Sequence, residues 1–164
     1  IAQINPECQV TCIEDFVNVE NLTEILHSGL NVAVDAIDQV KIKAAMIAHC
    51  RRHSIPIVVA GAAGGQIDPT QVRIADLTQT VQDPLLARVR TILRREYGFS
   101  REGKKKFGIP AVFSTEPLRY PTESCDADGG PSGLNCAGFG SSVCVTSVFG
   151  MAAAAHAIEL ILSG

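Results

Sequence analysis

The sequence has no tryptophan, only two methionines, and aromatic residues make up just 5% of it. Close packing must therefore come from branched aliphatics, alanine and glycine rather than from large rings. No apolar signal segment opens the chain, which starts Ile1-Ala-Gln-Ile-Asn-Pro without a methionine. An initiator methionine is not usually removed before a bulky isoleucine, so this start reads as the tail of an upstream element. The chain is expected to be part of a longer protein. None of the six cysteines (Cys8, Cys12, Cys50, Cys125, Cys136, Cys144) forms a C-x-x-C pair, which argues against a four-thiolate zinc site. With no sign of secretion, reduced thiols and a cytoplasmic location are expected. Neither G-x-G-x-x-G nor G-x-x-x-x-G-K-[ST] occurs, so no dinucleotide fingerprint and no P-loop is visible.

What is present is a globular composition, 46% apolar and 19% charged, long enough for one well-packed domain. Net charge is −3 but unevenly spread. Arg88, Arg90, Arg94, Arg95, Arg101, Lys104, Lys105 and Lys106 face only Glu96 and Glu102 within their own stretch. A basic segment on an acidic body suits a polyanion; on charge alone a solvated helix face and a mobile loop over 100–108 explain it as well.

The organising stretch is 31–43. A short apolar run is expected as a buried strand from Asn31 to Ile37, running straight into a helix that reaches about His53. Asp35 and Asp38 fall at the strand's carboxyl end, where ligands sit in open α/β sheets. Two carboxylates there can hold Mg²⁺ against a phosphate; the spacing equally suits a loop acid and a helix cap.

Gln9–Ile13 has the β-branched character of a strand, and Asn18 or Asn21 is expected to cap a short helix through about His27. Ile57–Ala60 reads as a strand covered on both faces. Gly61-Ala-Ala-Gly64-Gly65 follows; glycines there allow positive φ and close backbone approach. The turn at Asp68-Pro69 then predicts a β-hairpin or an antiparallel edge over 71–76. Asp83-Pro84 starts a helix to about Tyr97, stopped by Gly98. Residues 111–115 form another strand. The 121–140 stretch, rich in Pro, Gly, Ser and Asp, is expected to be a long functional loop carrying Cys125 and Cys136. Residues 141–162 are expected to be a buried apolar helix lying across the sheet rather than a membrane span, with Gly150 and its alanines allowing close packing. His49 and His156 fall on helices, where packing or exposure is expected rather than catalysis.

The order of elements and several motifs carry a resemblance. Val34-Asp-Ala-Ile-Asp-Gln39 resembles the Asp-x-x-Asp-Asn motif of the ubiquitin-activating-enzyme-like adenylating superfamily (ThiF, MoeB, HesA). Within it Cys50-Arg-Arg, Ile55-Pro56, Gly61 to Gln71, Gln82-Asp-Pro-Leu85, Val112 to Glu116 and Cys136-Ala-Gly-Phe-Gly140 resemble the bacterial tRNA threonylcarbamoyladenosine dehydratases, over nearly the whole chain. The resemblance implies a partial Rossmann-like α/β mixed sheet flanked by helices. Residues 1–164 would be a single domain, the C-terminal part of an adenylating domain lacking the N-terminal nucleotide-binding β-α-β half. It implies ATP and Mg²⁺, leaves room for a monovalent cation, and makes tRNA the partner through Arg94, Arg95 and Lys104 to Lys106. A homodimer and a sulfur-transfer protein are further expected partners.

By position, Asp38 matches the acid serving Mg²⁺ and the α-phosphate, and Asp35 is the first acid of the motif. Gln39 replaces the usual Asn, and Lys43 stands where many members have Arg, keeping charge but not the bidentate fork. Gly61 and Gly64 would line the nucleotide crevice. Several members use a cysteine thiolate, and Cys136 is the candidate here. With the phosphate-binding groups of the N-terminal half absent, the chain alone is expected to be inactive. A sulfur-carrier adenylyltransferase and a non-enzymatic nucleic-acid-binding module are the competing readings; members of the first typically carry two C-x-x-C pairs.

Overall fold

Strand alternation sorts the core into two layers. Ile57 and Val59 of one strand point to one face and Val58 to the other, and all three are buried. The computed structural model describes residues 1–103, 105–119 and 140–163. Its elements are α1 Leu22–Ile25, β1 Ala33–Asp35, α2 Val40–Arg52, β2 Ile57–Ala60, β3 Val72–Asp76, α3 Pro84–Glu96, β4 Pro110–Ser114 and α4 Val143–Ser163. The sheet order is β1-β2-β4-β3. β1, β2 and β4 run parallel, and β3 returns antiparallel along β4. The α/β mixed sheet is the expected one.

On one face, α2 and α3 pack Ala44, Ile47, Leu86, Val89 and Leu93 against Ile57, Val59, Ala111 and Phe113. Each fully buried aliphatic contributes about 2 kcal/mol of transfer free energy. On the other face, α4 packs Val145, Phe149, Ala153 and Ala157 on Val58 and Val112. Those four residues recur every fourth position, a single stripe of the helix.

Several expectations need correction. Gln9–Ile13 forms no strand and is exposed; its β-branched residues find no neighbouring strand to pair with. β1 spans three residues, not the seven from Asn31 to Ile37. α1 is one turn long, and Asn21 stands at its N-cap without a side-chain cap bond. The antiparallel edge over 72–76 is present, but its partner is β4, so no hairpin with β2 forms.

α4 is not the buried helix expected over 141–162. Val143, Met151 and Leu162 are 74%, 75% and 81% exposed. A four-stranded sheet is narrow enough for one helix stripe to cover its centre only. Val34 and Ile74, the register partners of Val58 and Val112, stay half-exposed at its flanks. Gly150 faces open space, and the close packing belongs to Ala153 and Ala157 instead. By length and composition α4 could cross a membrane; its packed stripe docks on the sheet.

The basic stretch after α3 is held at both ends. Phe99 and Phe107 are buried and meet edge-to-face, with centroids 4.9 Å apart. Asp76 accepts hydrogen bonds from the backbone N–H of Phe107 (3.0 Å), Gly108 (2.7 Å) and Ile109 (3.3 Å).

Candidate functional site

β1 and β2 end side by side, with Asp35 opposite Val59. Beyond them lies an open pocket of about 310 Å³ walled by Asp38, Gly61, Gly64, Leu85, Leu118 and Ser141, among others. The sequence-predicted residues Asp38, Gly61 and Gly64 thus come together. Asp35, Gln39 and Lys43 do not line the pocket.

Asp35 is the last residue of β1 rather than a loop acid, and it is buried. Its Oδ1 accepts the Ile37 N–H at 2.9 Å, tightening the corner into α2. Its Oδ2 lies 2.9 Å from Lys43 Nζ, with both side chains fully buried. The contact is an ion pair withdrawn from solvent. Nζ also donates a long bond, 3.4 Å, to the Asp35 carbonyl. Burial pushes the Lys43 ammonium below its ordinary range, against the pull of Asp35 and the weaker fields of Asp83 and Asp38.

Asp38 is exposed and does not cap α2. Gln39 holds the N-cap position, with no side-chain cap bond, and its carbonyl accepts the Lys43 N–H at 2.9 Å. Among the described residues the Asp38 side chain has no hydrogen-bond partner, and it lies on the pocket wall. Among the described residues no three His, Cys, Asp or Glu side chains converge as a metal site. A single carboxylate supplemented by phosphate oxygens and water suits Mg²⁺, and Asp38 fits that part.

The glycine turn is held by two carboxylates that the sequence did not mark for this task. Asp83 Oδ1 accepts the Leu86 N–H at 2.9 Å, capping α3 as expected; Oδ2 accepts the Ala62 N–H at 2.9 Å. Burial pushes the Asp83 carboxyl up, opposed by these bonds and by Lys43. A Cβ on Gly61 would sit 1.9 Å from Asp83 Oδ2. Gly61 is required for close approach and not for positive φ; in this turn only Gly65 is left-handed, at φ 72°.

Glu116, buried at the end of β4, accepts from Ile67 N–H (2.9 Å) and Asp68 N–H (2.8 Å) and pairs with Arg119 Nε at 3.1 Å. Those backbone bonds and Arg119 hold its carboxyl below the usual range despite burial. Arg119 N–H donates to Gly65 O, and Gly65 N–H donates to Gly140 O. The Asp83 cap was legible locally, but its second bond and the Glu116 brace join residues far apart in sequence.

Cys125 and Cys136 lie outside the described residues. Cys50 is buried, and burial pushes its thiol up to about 11. Cys8, Cys12 and Cys144 are exposed. His49 Nε2 meets Leu26 O at 2.8 Å in a buried contact, and His156 Nδ1 meets Glu159 Oε2 at 3.0 Å on the surface.

A mainly parallel sheet whose strand ends open on an acid and a glycine turn is Rossmann-like. A model of the ThiF family matches residues 1–164, and the chain belongs to that family. It is 49% identical over 162 residues to a tRNA threonylcarbamoyladenosine dehydratase of Haemophilus influenzae, covering 97% of this chain and 61% of that protein. To the Escherichia coli enzyme of the same name it is 45% identical over 174 residues, covering 99% and 63%. The crystal structure of the E. coli enzyme in complex with ATP superposes with a TM-score of 0.85 at 44% identity, covering 99% of this chain and 60% of that one. The chain spans about three-fifths of the length of these relatives.

Proposed function

We propose that this chain supplies one side of an adenylation site in an ATP-dependent tRNA threonylcarbamoyladenosine dehydratase. The carrying observation is that Asp38 and the Gly61–Gly64 turn share one pocket beyond the strand ends, in a chain this close to enzymes of that name.

The reaction activates a carboxylate. A threonylcarbamoyl carboxylate oxygen attacks the α-phosphorus of ATP, forming an acyl adenylate and releasing pyrophosphate. Intramolecular attack on the activated acyl carbon then closes a ring, AMP leaves, and the substrate has lost the elements of water. Mg²⁺, when bound, would offset phosphate charge. Asp38 would hold that ion at the pocket wall, and the Gly61–Gly64 turn would let backbone approach the nucleotide. Asp35 and Lys43, named as nucleotide contacts by position, act in this reading through the corner that carries Asp38.

Asp38 is the only charged residue among the described ones that line the pocket, and it is an anion. Among the described residues of the pocket, no cation is present to neutralise a triphosphate. In this reading the chain alone is inactive, because the pocket needs cationic phosphate contacts beyond its described lining. The reading keeps tRNA as partner and a cytoplasmic location. A homodimer would cover Val34, Ile74 and the outer face of α4. Cys136 as thiolate, a monovalent cation and a sulfur-transfer partner remain additions that the described residues do not argue.

Two measurements test it. Calorimetry of the 164-residue chain should detect no micromolar ATP binding; such binding contradicts the half-site account. ATP–pyrophosphate exchange by the intact protein should require tRNA bearing threonylcarbamoyladenosine. Exchange driven by a small protein ending in Gly-Gly points to a sulfur-carrier adenylyltransferase, and no exchange with any carboxylate points to a binding module.

A further inference from the structure

The carboxyl ends of α2 and α3 meet at the end of the molecule away from the pocket. A cleft there is lined by Arg51, Arg52, Tyr97 and Phe99, among others. This joins Arg51 and Arg52 to the basic stretch that follows α3, although about forty residues of sequence separate them. Two helix carboxyl ends would repel an anion if left bare; here cations mask them.

The cations divide into two kinds. Arg51 lies over the Phe99 ring, 4.5 Å from its centroid, and its Nη1 donates to Phe107 O at 3.1 Å. Arg94 lies 5.4 Å from the Phe107 centroid and donates from Nε to Ser100 O at 3.3 Å. Both guanidinium planes are spent on the two aromatic anchors of the 99–107 loop. Arg52, Arg101, Lys105 and Lys106 are exposed and enter no ion pair or side-chain hydrogen bond with the described residues. Arg95 is paired with Glu96.

We propose that this end of the molecule binds nucleic-acid backbone, with Arg52, Arg101, Lys105 and Lys106 on phosphates and Arg51 and Arg94 bracing the loop that presents the last three of them. The proposal rests on the reading of tRNA as substrate and changes its contact set: Arg94 becomes a brace, Arg95 is paired with Glu96, and Arg52 of α2 and Arg101 join Lys105 and Lys106 as phosphate contacts. α3 runs from the pocket wall at Leu85 to this end. Thirteen helical residues span about 20 Å. A modified nucleoside is too small to occupy both places, whereas a folded RNA can. The surface therefore governs the binding of the macromolecule and leaves the chemistry at Asp38 alone.

The test is fluorescence anisotropy of labelled tRNA with the 164-residue chain, titrated from low to moderate KCl. Changing Arg52, Arg101, Lys105 and Lys106 together to alanine should weaken binding at least tenfold. It should also flatten the log–log salt slope by about 3, near one per lost phosphate contact. Arg51→Lys keeps the charge but loses the stacking plane, and should weaken binding severalfold with less change in slope. An unchanged slope in the quadruple variant overturns the surface. Arg51→Lys binding like the parent overturns the brace. Polyglutamate binding as tightly as tRNA at equal salt overturns the nucleic-acid assignment. These outcomes are independent of pyrophosphate exchange, which tests the activity itself.

Discussion

Lys43 Nζ and Asp35 Oδ2 meet 2.9 Å apart, with neither side chain reaching solvent. The last residue of β1 is thereby tied to the first turn of α2, and Asp38 lies on the short link between them. A buried pair of this kind is costly to break from one side. Lys43→Met should leave the Asp35 carboxylate buried and unpaired, destabilising the fold by about 3 to 5 kcal/mol. Asp35→Leu with Lys43→Met should recover most of that loss. Urea unfolding of the three proteins checks it. A single variant as mild as the double variant would show that the pair carries no such strain.

Gly61 and Asp83 form the second such relationship. Gly61→Ala drives a methyl group into Asp83 Oδ2, displacing the bond to Ala62 N–H and disturbing the α3 cap. A loss of about 2 kcal/mol is expected. Gly103→Ala, where an added Cβ meets nothing within 4 Å, should be nearly neutral. Thermal melts of both variants make the comparison. Equal melting temperatures for the two would mean that the Gly61–Asp83 contact does not constrain the turn.

Asp76 should make the fold acid-sensitive. Burial pushes its carboxyl up, but bonds from the Thr78 hydroxyl and N–H and from Phe107 and Gly108 N–H outweigh this, holding it below its ordinary value of 3.8. A depressed carboxyl stabilises the fold above its unfolded value, and the contribution disappears as pH falls through the lower folded value. Asp76→Asn should cost about 1 to 2 kcal/mol at neutral pH, allowing for partial solvent screening. The gap to the parent should then close below about pH 4. Urea midpoints across that range read it directly. A constant gap would assign the loss to packing and not to charge.

Local signals carried much of the fold. Asp83-Pro84 and Gly98 bracket α3 because caps and stops are read within one turn of chain. The antiparallel course of β3 followed from the Asp68-Pro69 turn, where Asp68 Oδ1 accepts the Thr70 N–H. Its partner was not legible, because β4 is more than thirty residues away and pairing there is decided by the whole sheet. The apolar composition of α4 predicted a core helix, yet composition cannot say which stripe finds a sheet to cover. At the site, the Asp35–Asp38 spacing located the corner, but not which acid turns inward. Lys43 decides that, by sitting one turn into α2 where its ammonium reaches Asp35. The braces made by Glu116, Asp83 and Arg51 are long-range contacts with no local sequence sign.

The most direct test of the central claim is ATP–pyrophosphate exchange by the intact protein carrying this chain, with threonylcarbamoyl-modified tRNA, comparing the parent with Asp38→Asn. Asp38 is exposed and makes no structural contact through its side chain among the described residues, so the variant should fold and melt like the parent. The account predicts that exchange falls at least a hundredfold, about 3 kcal/mol of transition-state stabilisation, with tRNA affinity unchanged. Exchange at the parental rate in a folded Asp38→Asn protein would contradict the assignment of this pocket as the adenylation site.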